Sequence, residues 1–399
     1  MHLRTKTWWF TLLFTALLLG ICCVPQQTNT GTDIPSETDN KTAAEIAYSQ
    51  GFEYYKQAKY KEAAQYFNKA IGLYPPYYAA YIALAKTYRA QRDIVAAEST
   101  YSQALRIDPS DVRAYIGLGA LYVEIQRYSD AVSIYEDGLA EDSTDVEILN
   151  GLAFIHRKTE DHERSLEYYK KSITYEPENI NTMFSLATLF IEIGMPDSAV
   201  VYLEDLKQRK PNNVEVHEKL AETLFDMGRF PEALAEYEWL LQNKPTNSTH
   251  HLRLALTHQR MKQYALAEKA FMDAAALVPE SALPLFMLAD LYITWKKYTT
   301  AENTIRQALI LEPANSYGYV QLGDIYKQRG VNAMNAWNKN KSKDNCATLN
   351  TAISHLETAV SYYTKTKNDE TYGEYAGNES TRCMVRLEAL NEDMWFYCK

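Results

Sequence analysis

The chain has 399 residues, and its 46% hydrophobic content is ample for one or more cores. Its 41 basic and 51 acidic residues give a formal net charge of -10 at pH 7. Because no block of Lys and Arg is present to follow a line of phosphates, a nucleic-acid partner is disfavoured.

The first 24 residues have the layout of an export signal. Arg4 and Lys6 precede an apolar run from Trp8 to Leu19, and the run reaches the lower limit for a membrane-spanning helix if it is continued to Val24. We predict a signal peptide or membrane anchor over 1–24 and a flexible polar linker over 25–43. The expected location is the periplasmic face of a membrane in a bacterial cell envelope, with the N-terminus as the anchor.

Two cysteines, Cys22 and Cys23, end the apolar run and are candidates for lipidation. The segment resembles a bacterial lipoprotein signal, in which Leu, a small residue and Gly, Ala or Ser precede the modified Cys. Ile21 is too large for the place before Cys22, and Gly20 stands where Cys23 would need leucine. Lipidation, an uncleaved anchor and plain cleavage therefore all stay open.

A period of 34 residues dominates the rest of the chain. When repeats are numbered from residue 44, position 8 is Gly or Ala in all nine, and position 20 is Ala or Ser in eight. Positions 4, 7, 8 and 11 form one apolar stripe and positions 20, 24 and 27 form a second, which predicts two amphipathic helices per repeat. Prolines at position 32 end the second helix: Pro75, Pro109, Pro177, Pro211, Pro245, Pro279 and Pro313.

The pattern resembles that of the tetratricopeptide repeat family, with Leu-Gly/Ala-x-x-Tyr followed by Ala, an aromatic residue, Ala and Pro. It predicts eight repeats over 44–315 without insertion and a ninth over 316–365. The resemblance implies an all-α fold, a right-handed α-solenoid of helix-turn-helix repeats with a capping helix. It also implies a concave groove lined by the first helices, which binds proteins.

By the same resemblance, positions 2, 5, 9 and 12 of each first helix line this groove, which we expect to be apolar and aromatic. The expected partner is a helical or extended apolar protein segment. Some of these side chains are expected instead to pack against the next repeat. The predicted groove residues are Tyr48, Phe52, Tyr55, Ile82, Phe154, Phe184, Ile191, Phe225, Leu252, Phe286 and Ile293.

The ninth repeat departs from the register. The alanine of its second helix is expected at position 335 but occurs as Ala352, so the repeat contains a 17-residue insertion. The insertion is rich in Asn and Lys, which predicts a loop with an exposed Trp337. A long insertion in a strict array is also a place where function is often found, so a functional role stays open.

The last segment, 366–399, is predicted to form a capping helix and a tail, with an apolar face from Cys383 to Met394. Cys346 begins the helix expected to run antiparallel to it. Export and this clustering predict a Cys346–Cys383 disulfide, with Cys398 as the rival partner. A buried free thiol is the alternative.

Four histidines occupy apolar slots of the repeat, His217 and His251 at position 4 and His156 and His258 at position 11. We interpret them as packing residues, because no third metal ligand is predictable beside any pair. The chain has no zincin motif, P-loop, G-x-G-x-x-G or G-x-S-x-G. We therefore predict no enzymatic activity, no cofactor, no metal and no small-molecule substrate.

The leading prediction is a non-catalytic protein–protein interaction scaffold of the cell envelope. One alternative is an assembly or transport factor of the outer-membrane or pilus type. The other is an enzyme with its site in the insertion and the C-terminal cap.

Overall fold

The structure is a computed structural model that describes residues 37–399. Over this range the chain forms nineteen α-helices and no β-strand. The helices fall into two compact units, one ending at Leu121 and the other beginning at Tyr122. The predicted signal or anchor, with Cys22 and Cys23, lies outside the described residues.

Odd-numbered helices from α1 to α17 are the first helices of the repeats, even-numbered helices from α2 to α18 are the second helices, and α19 follows the last repeat. The helices are α1 (Glu37–Lys56), α2 (Tyr60–Leu73), α3 (Tyr78–Ala90), α4 (Ile94–Ile107), α5 (Arg113–Glu124), α6 (Tyr128–Glu141), α7 (Val146–Lys158), α8 (His162–Tyr175), α9 (Ile180–Glu192), α10 (Pro196–Arg209), α11 (Val214–Asp226), α12 (Phe230–Asn243), α13 (Ser248–Arg260), α14 (Tyr264–Leu277), α15 (Leu283–Thr294), α16 (Tyr298–Leu311), α17 (Ser316–Lys339), α18 (Cys346–Thr364) and α19 (Gly373–Asp393). None of these helices is long and apolar enough to cross a membrane.

The predicted linker is shorter than expected at its C-terminal end. Helix α1 begins at Glu37, so 37–43 is helical rather than part of a linker over 25–43. These residues are polar and have no apolar stripe, which is why the sequence pattern did not include them. Glu37 and Asp39 lie in the first turn, where acidic side chains interact favourably with the helix dipole.

The turn inside each of the first eight repeats is made by one residue in the left-handed region, with φ between 56° and 76°. The next residue donates its N–H to the carbonyl five residues earlier, as Asp161 does to His156 at 2.8 Å. This is the Schellman arrangement that satisfies the last carbonyls of a helix. The left-handed residues all occupy position 15: Ala58, Arg92, Gln126, Glu160, Gly194, Gly228, Lys262 and Lys296.

The connection between most repeats ends on an Asn or Asp that caps the next first helix. The side chains of Asp145, Asn179, Asn213, Asn247 and Asn315 each accept a hydrogen bond from a backbone N–H in the first turn. These residues are spaced by 34 or 68. In four of these five connections a proline stands two residues before the cap, so the proline and the Asx cap together end one helix and begin the next.

The core follows the repeat positions. All eight residues at position 20 are fully buried. Where the fourth repeat has Ser165 instead of alanine, its hydroxyl donates to the carbonyl of Ala153 at 2.8 Å, so the buried polar group is paired. A Cβ on Gly51, at position 8, would lie 2.8 Å from the Phe67 ring, which explains the small residue there.

The insertion in the ninth repeat is largely helical, so the predicted loop is wrong. Helix α17 continues through position 15, which is Gly330, and ends only at Lys339. Trp337 is fully buried rather than exposed, and its Nε1 donates to Asp393 Oδ2 at 2.8 Å. The asparagines and lysines face outward on this helix extension, and their polarity made the segment look like a loop.

The capping helix is present as α19, and it joins α17 and α18 through a shared polar cluster. Asp324 accepts hydrogen bonds from the hydroxyls of Tyr363 at 2.8 Å and Tyr375 at 2.9 Å. Lys327 lies 2.7 Å from Asp324 and 3.1 Å from Glu379. The lysine is paired with both carboxylates, as a half-buried charge must be.

The disulfide joins Cys346 to Cys398, the rival partner, so the predicted Cys346–Cys383 bond is wrong. Cys346 begins α18 and lies beside the short π-helical turn Met394–Cys398 that follows α19, with 5.8 Å between the two Cα atoms. Cys383 faces the core from the middle of α19 and is a fully buried free thiol. Its burial raises the pKa of the thiol.

Candidate functional site

A cleft of about 160 Å³ opens between the first helices of the first two repeats, α1 and α3. We call it the aromatic cleft. Its floor is Phe67 of α2, at position 24. Its other lining residues are Tyr48, Phe52, Tyr55, Ala79, Ile82, Ala83, Lys86 and Arg113, and four of them are predicted groove residues.

The rings of the aromatic cleft remain partly in water. Phe52 is 43% exposed, and Tyr48 stacks beside it with ring centroids 6.4 Å apart. Tyr48 also packs 5.6 Å from Phe67 on the floor. An apolar side chain entering here would remove exposed aromatic surface from water, which is favourable by about 25 cal/mol per Å².

Two cations border the aromatic cleft. Arg113 is held by Asp111, with 2.9 Å between Arg113 Nε and Asp111 Oδ1, and the guanidinium holds the pKa of Asp111 below its usual value. Lys86 is exposed and has no ion-pair partner among the described residues. The edge of the cleft therefore carries one uncompensated positive charge.

A second cleft, of about 400 Å³, lies between α11 and α13, and we call it the acidic cleft. Glu215, Glu218 and Glu222 line it from α11, and Tyr237 of α12 borders it. The three glutamates occupy positions 2, 5 and 9 of the sixth repeat. The expectation of an apolar groove is therefore wrong here. The sequence itself contains this signal, because glutamate occupies three of the four groove positions of this repeat.

A third cleft of similar volume lies between α13 and α15, and its lining mixes Leu256 and Met287 with Arg260 and Asp290. Asp290 accepts a hydrogen bond from Gln321 Nε2 at 2.6 Å and another from Tyr317. Burial raises the pKa of Asp290 despite these bonds. Neighbouring first helices thus form clefts of differing chemistry.

Two of the predicted groove residues are buried, although one of them, Ile82, still lines the aromatic cleft. Ile82 is 5% exposed and Phe286 is 3% exposed. The Phe286 ring lies 6.1 Å from the ring of Tyr317 in the next repeat. Eight others are half-buried, and several of these pack against the core. The half-buried residues are Tyr48, Tyr55, Phe154, Phe184, Ile191, Phe225, Leu252 and Ile293. Phe52 is the most exposed of the predicted residues.

The histidines at position 4 have a structural partner that the sequence did not reveal. His217 Nε2 lies 3.0 Å from the Pro211 carbonyl, and His251 Nε2 lies 2.9 Å from the Pro245 carbonyl. A polar side chain at position 4 thus satisfies a carbonyl at the end of the preceding second helix. Over residues 37–399, no group of three or more His, Cys, Asp or Glu is placed to hold a metal ion.

The helix pairs match known family models. Three models described as tetratricopeptide repeat match residues 48–112 and 218–282, residues 88–155, and residues 146–179 and 284–315. The matched segments together cover more than half of the chain. The chain is a tetratricopeptide repeat protein.

Solved structures of other tetratricopeptide repeat proteins are similar to this one. A structure of YrrB, described as having an unusual peptide-binding site, is 19% identical, with a TM-score of 0.42, and covers 46% of this chain and 95% of its own. A protein from Parabacteroides merdae is 16% identical, with a TM-score of 0.44, and covers 63% and 99%. PilF of Pseudomonas aeruginosa is 21% identical, with a TM-score of 0.44, and covers 51% and 92%. No curated protein has a sequence that matches this chain.

Tetratricopeptide repeats generally mediate protein–protein interaction and bind peptide or protein partners. Their fold is typically a non-catalytic scaffold. The clefts between first helices are therefore the surfaces to examine for partner binding in this tetratricopeptide repeat protein.

Proposed function

We propose that the protein is a non-catalytic scaffold that binds a segment of a partner protein in the clefts between its first helices. The aromatic cleft carries this proposal, because Phe52 leaves 43% of its surface in water beside the stacked ring of Tyr48. A partly exposed aromatic pair in a concave site is typical of a place where an apolar anchor binds.

The size of the aromatic cleft limits what it accepts. Its volume of about 160 Å³ is close to that of an engineered cavity of about 150 Å³ that binds benzene. One aromatic or branched aliphatic side chain therefore fits, with the rest of the segment along the surface. Lys86 at the edge offers its ammonium group to a carboxylate of the same segment.

The scaffold is further proposed to act in a bacterial cell envelope, held at the membrane by its N-terminus. Two observations support this location. In residues 1–24, basic residues precede an apolar run, which is typical of an export signal. The Cys346–Cys398 bond is the second observation, because disulfides persist in oxidising compartments. Lipidation at Cys22 or Cys23 is one way to supply the anchor.

Site-specific photo-crosslinking tests the binding proposal. A photoreactive phenylalanine is placed at Phe52 in the full chain, expressed in its native cells, and a matched probe is placed at Val95. Val95 is 79% exposed on the second helix α4 and lies outside the aromatic cleft. We expect a discrete protein adduct from Phe52 and none from Val95. Equal labelling at both sites, or none at Phe52, would contradict the proposal.

A further inference from the structure

We propose that the acidic cleft binds an arginine or lysine side chain of the partner segment. This inference rests on the proposed function and specifies the chemistry of the partner. Three kinds of observation carry it: an uncompensated carboxylate, a buried tyrosine hydroxyl without a partner, and a histidine nitrogen without a partner.

The carboxylates of the acidic cleft are only partly neutralised. The Glu215 side chain has no ion-pair or hydrogen-bond partner among the described residues, although it lines the cleft. Glu222 has only distant partners, at 3.6 Å from Lys219 and 4.0 Å from Arg253. Three carboxylates therefore face two permanent cations, and a concave site concentrates the resulting field. A cationic side chain is attracted, and an anion is repelled.

Tyr237 borders the acidic cleft with an unused hydroxyl. The side chain is 2% exposed, and its oxygen has no hydrogen-bond partner. Tyr169, at the same position in the fourth repeat, is paired with Ser185, which is position 6 of the next repeat. For Tyr237 of the sixth repeat, position 6 of the next repeat is Arg253, which makes no hydrogen bond to the hydroxyl. An unpaired buried hydroxyl destabilises the site, so a ligand that pairs with it gains affinity.

His250 supplies a second unused group. The ring is 4% exposed, and its Nε2 lies 2.8 Å from Glu218 Oε1. A carboxylate only accepts hydrogen bonds, so Nε2 carries the proton that lies between His250 and Glu218. That Nδ1 is buried and has no partner.

The unused groups require the same kind of ligand. The Glu215 carboxylate accepts hydrogen bonds, and the Tyr237 oxygen accepts as well as donates. A guanidinium presents five N–H donors in a planar fork and an ammonium presents three. An arginine of the partner segment matches the acidic cleft best, and a lysine matches its charge.

The inference is tested by selecting a random peptide display library on the purified full chain and measuring the affinity of the enriched peptides by fluorescence anisotropy. We expect the peptides to share one arginine or lysine flanked by apolar residues. Glu215→Gln should lower their affinity about tenfold, as loss of one charge-assisted hydrogen bond does. Tyr237→Phe should lower it several-fold. Replacing the basic residue of the peptide by citrulline should remove the effect of Glu215→Gln.

The chain contains matched controls. Tyr237→Phe preserves the ring, and Phe67 and Phe271 occupy the same position in other repeats, so the variant retains the core. Tyr101 also has a buried, unpartnered hydroxyl, but it does not line the acidic cleft, so Tyr101→Phe should leave affinity unchanged.

The outcomes separate the two proposals. Enriched peptides without a shared basic residue, whose affinity is unchanged by Glu215→Gln and Tyr237→Phe, would overturn the inference and leave the proposed function in place. Basic peptides that bind equally well to the Tyr237→Phe and Tyr101→Phe variants would also overturn it. If no peptide is enriched and Phe52 gives no crosslink, both proposals fail.

Discussion

The left-handed residue at position 15 is glycine in only two of eight repeats, Gly194 and Gly228. A residue with a Cβ pays roughly 1 kcal/mol for this conformation, yet Lys262 and Glu160 adopt it with φ of 60° and 63°. The turn is therefore imposed by the Schellman hydrogen bonds and by the packing of the two helices, and the local residue only modulates its stability.

Substitution at Gly228 measures this local cost. A Cβ there would meet nothing within 4 Å, so the effect of a substitution comes from the backbone alone. We expect Gly228→Ala to destabilise the sixth repeat by about 1 kcal/mol and Gly228→Asn by less, because asparagine tolerates the left-handed region better. Amide hydrogen exchange in α11 and α12 measures the difference. An alanine variant as stable as the glycine protein would show that the turn is not strained.

Trp337 is buried and contacts the end of the capping helix. Its indole N–H is paired with Asp393, and Lys341 lies 2.7 Å from the same carboxylate. Burial opposes ionisation of Asp393, but these two partners outweigh it and lower the pKa of the carboxyl. The tryptophan is thus part of the cap and is not an exposed recognition residue.

At the scale of elements, the ninth repeat differs from the others because α17 does not turn at position 15. Gly330 occupies that position but stays helical, and its missing side chain is used for close packing. A Cβ there would lie 2.7 Å from Leu356 Cγ and 3.2 Å from the Leu356 backbone nitrogen of α18. The glycine that could have made a turn therefore brings two long helices together.

Gly330→Ala should consequently destabilise the cap by about 1–3 kcal/mol, the usual cost of overpacking a core. The contact with backbone at 3.2 Å limits how far the neighbour can move. Hydrogen exchange in α17 and α18 is the measurement.

Gly377→Ala is the matched control for this prediction. Gly377 also lies within a helix, α19, but a Cβ there would meet nothing within 4 Å. Alanine should stabilise that helix by about 0.5–1 kcal/mol, because glycine is a poor helix former. If both variants had the same effect, the close approach of α17 and α18 would not be limiting.

At the scale of the whole molecule, the C-terminal end is closed by a covalent bond. The Cys346–Cys398 disulfide joins two cysteines that are 52 residues apart in the sequence, and the loop that it closes contains α18 and α19. Closing a loop of this length stabilises the folded state by about 2–4 kcal/mol. The short turn after α19, with its exposed Trp395 and Phe396, is therefore held against the start of α18.

Peptide mapping of the protein isolated from its native cells, alkylated under denaturing conditions without reductant, should recover one cross-linked pair joining Cys346 and Cys398. Cys383 should be recovered as an alkylated free thiol. Recovery of a Cys346–Cys383 pair, or of three alkylated C-terminal cysteines, would contradict the structure. The same map reads the N-terminal peptide, and a peptide that begins at Met1 would exclude lipidation at Cys22 or Cys23.

The sequence by itself determined the repeat. Periodicity in small, large and proline residues was enough to predict the helix pairs, because each position has the same neighbours in every repeat and so needs the same size and polarity. It also predicted a capping helix after the ninth repeat. The small residues at positions 8 and 20, such as Gly51 and Ala63, are buried as that pattern requires.

Only the tertiary structure decided the features that break the repeat. Three such features are the helical path of α17, the burial of Trp337 and the pairing of Cys346 with Cys398 rather than Cys383. They depend on contacts at the cap that occur in no other repeat, so the periodic pattern contains no information about them. The three glutamates of the acidic cleft can be identified from the sequence, but the unused hydroxyl of Tyr237 becomes evident only when the side chains around it are in place. Periodicity reflects what all repeats share, whereas each cleft has its own chemistry because its lining side chains differ from those of the other repeats.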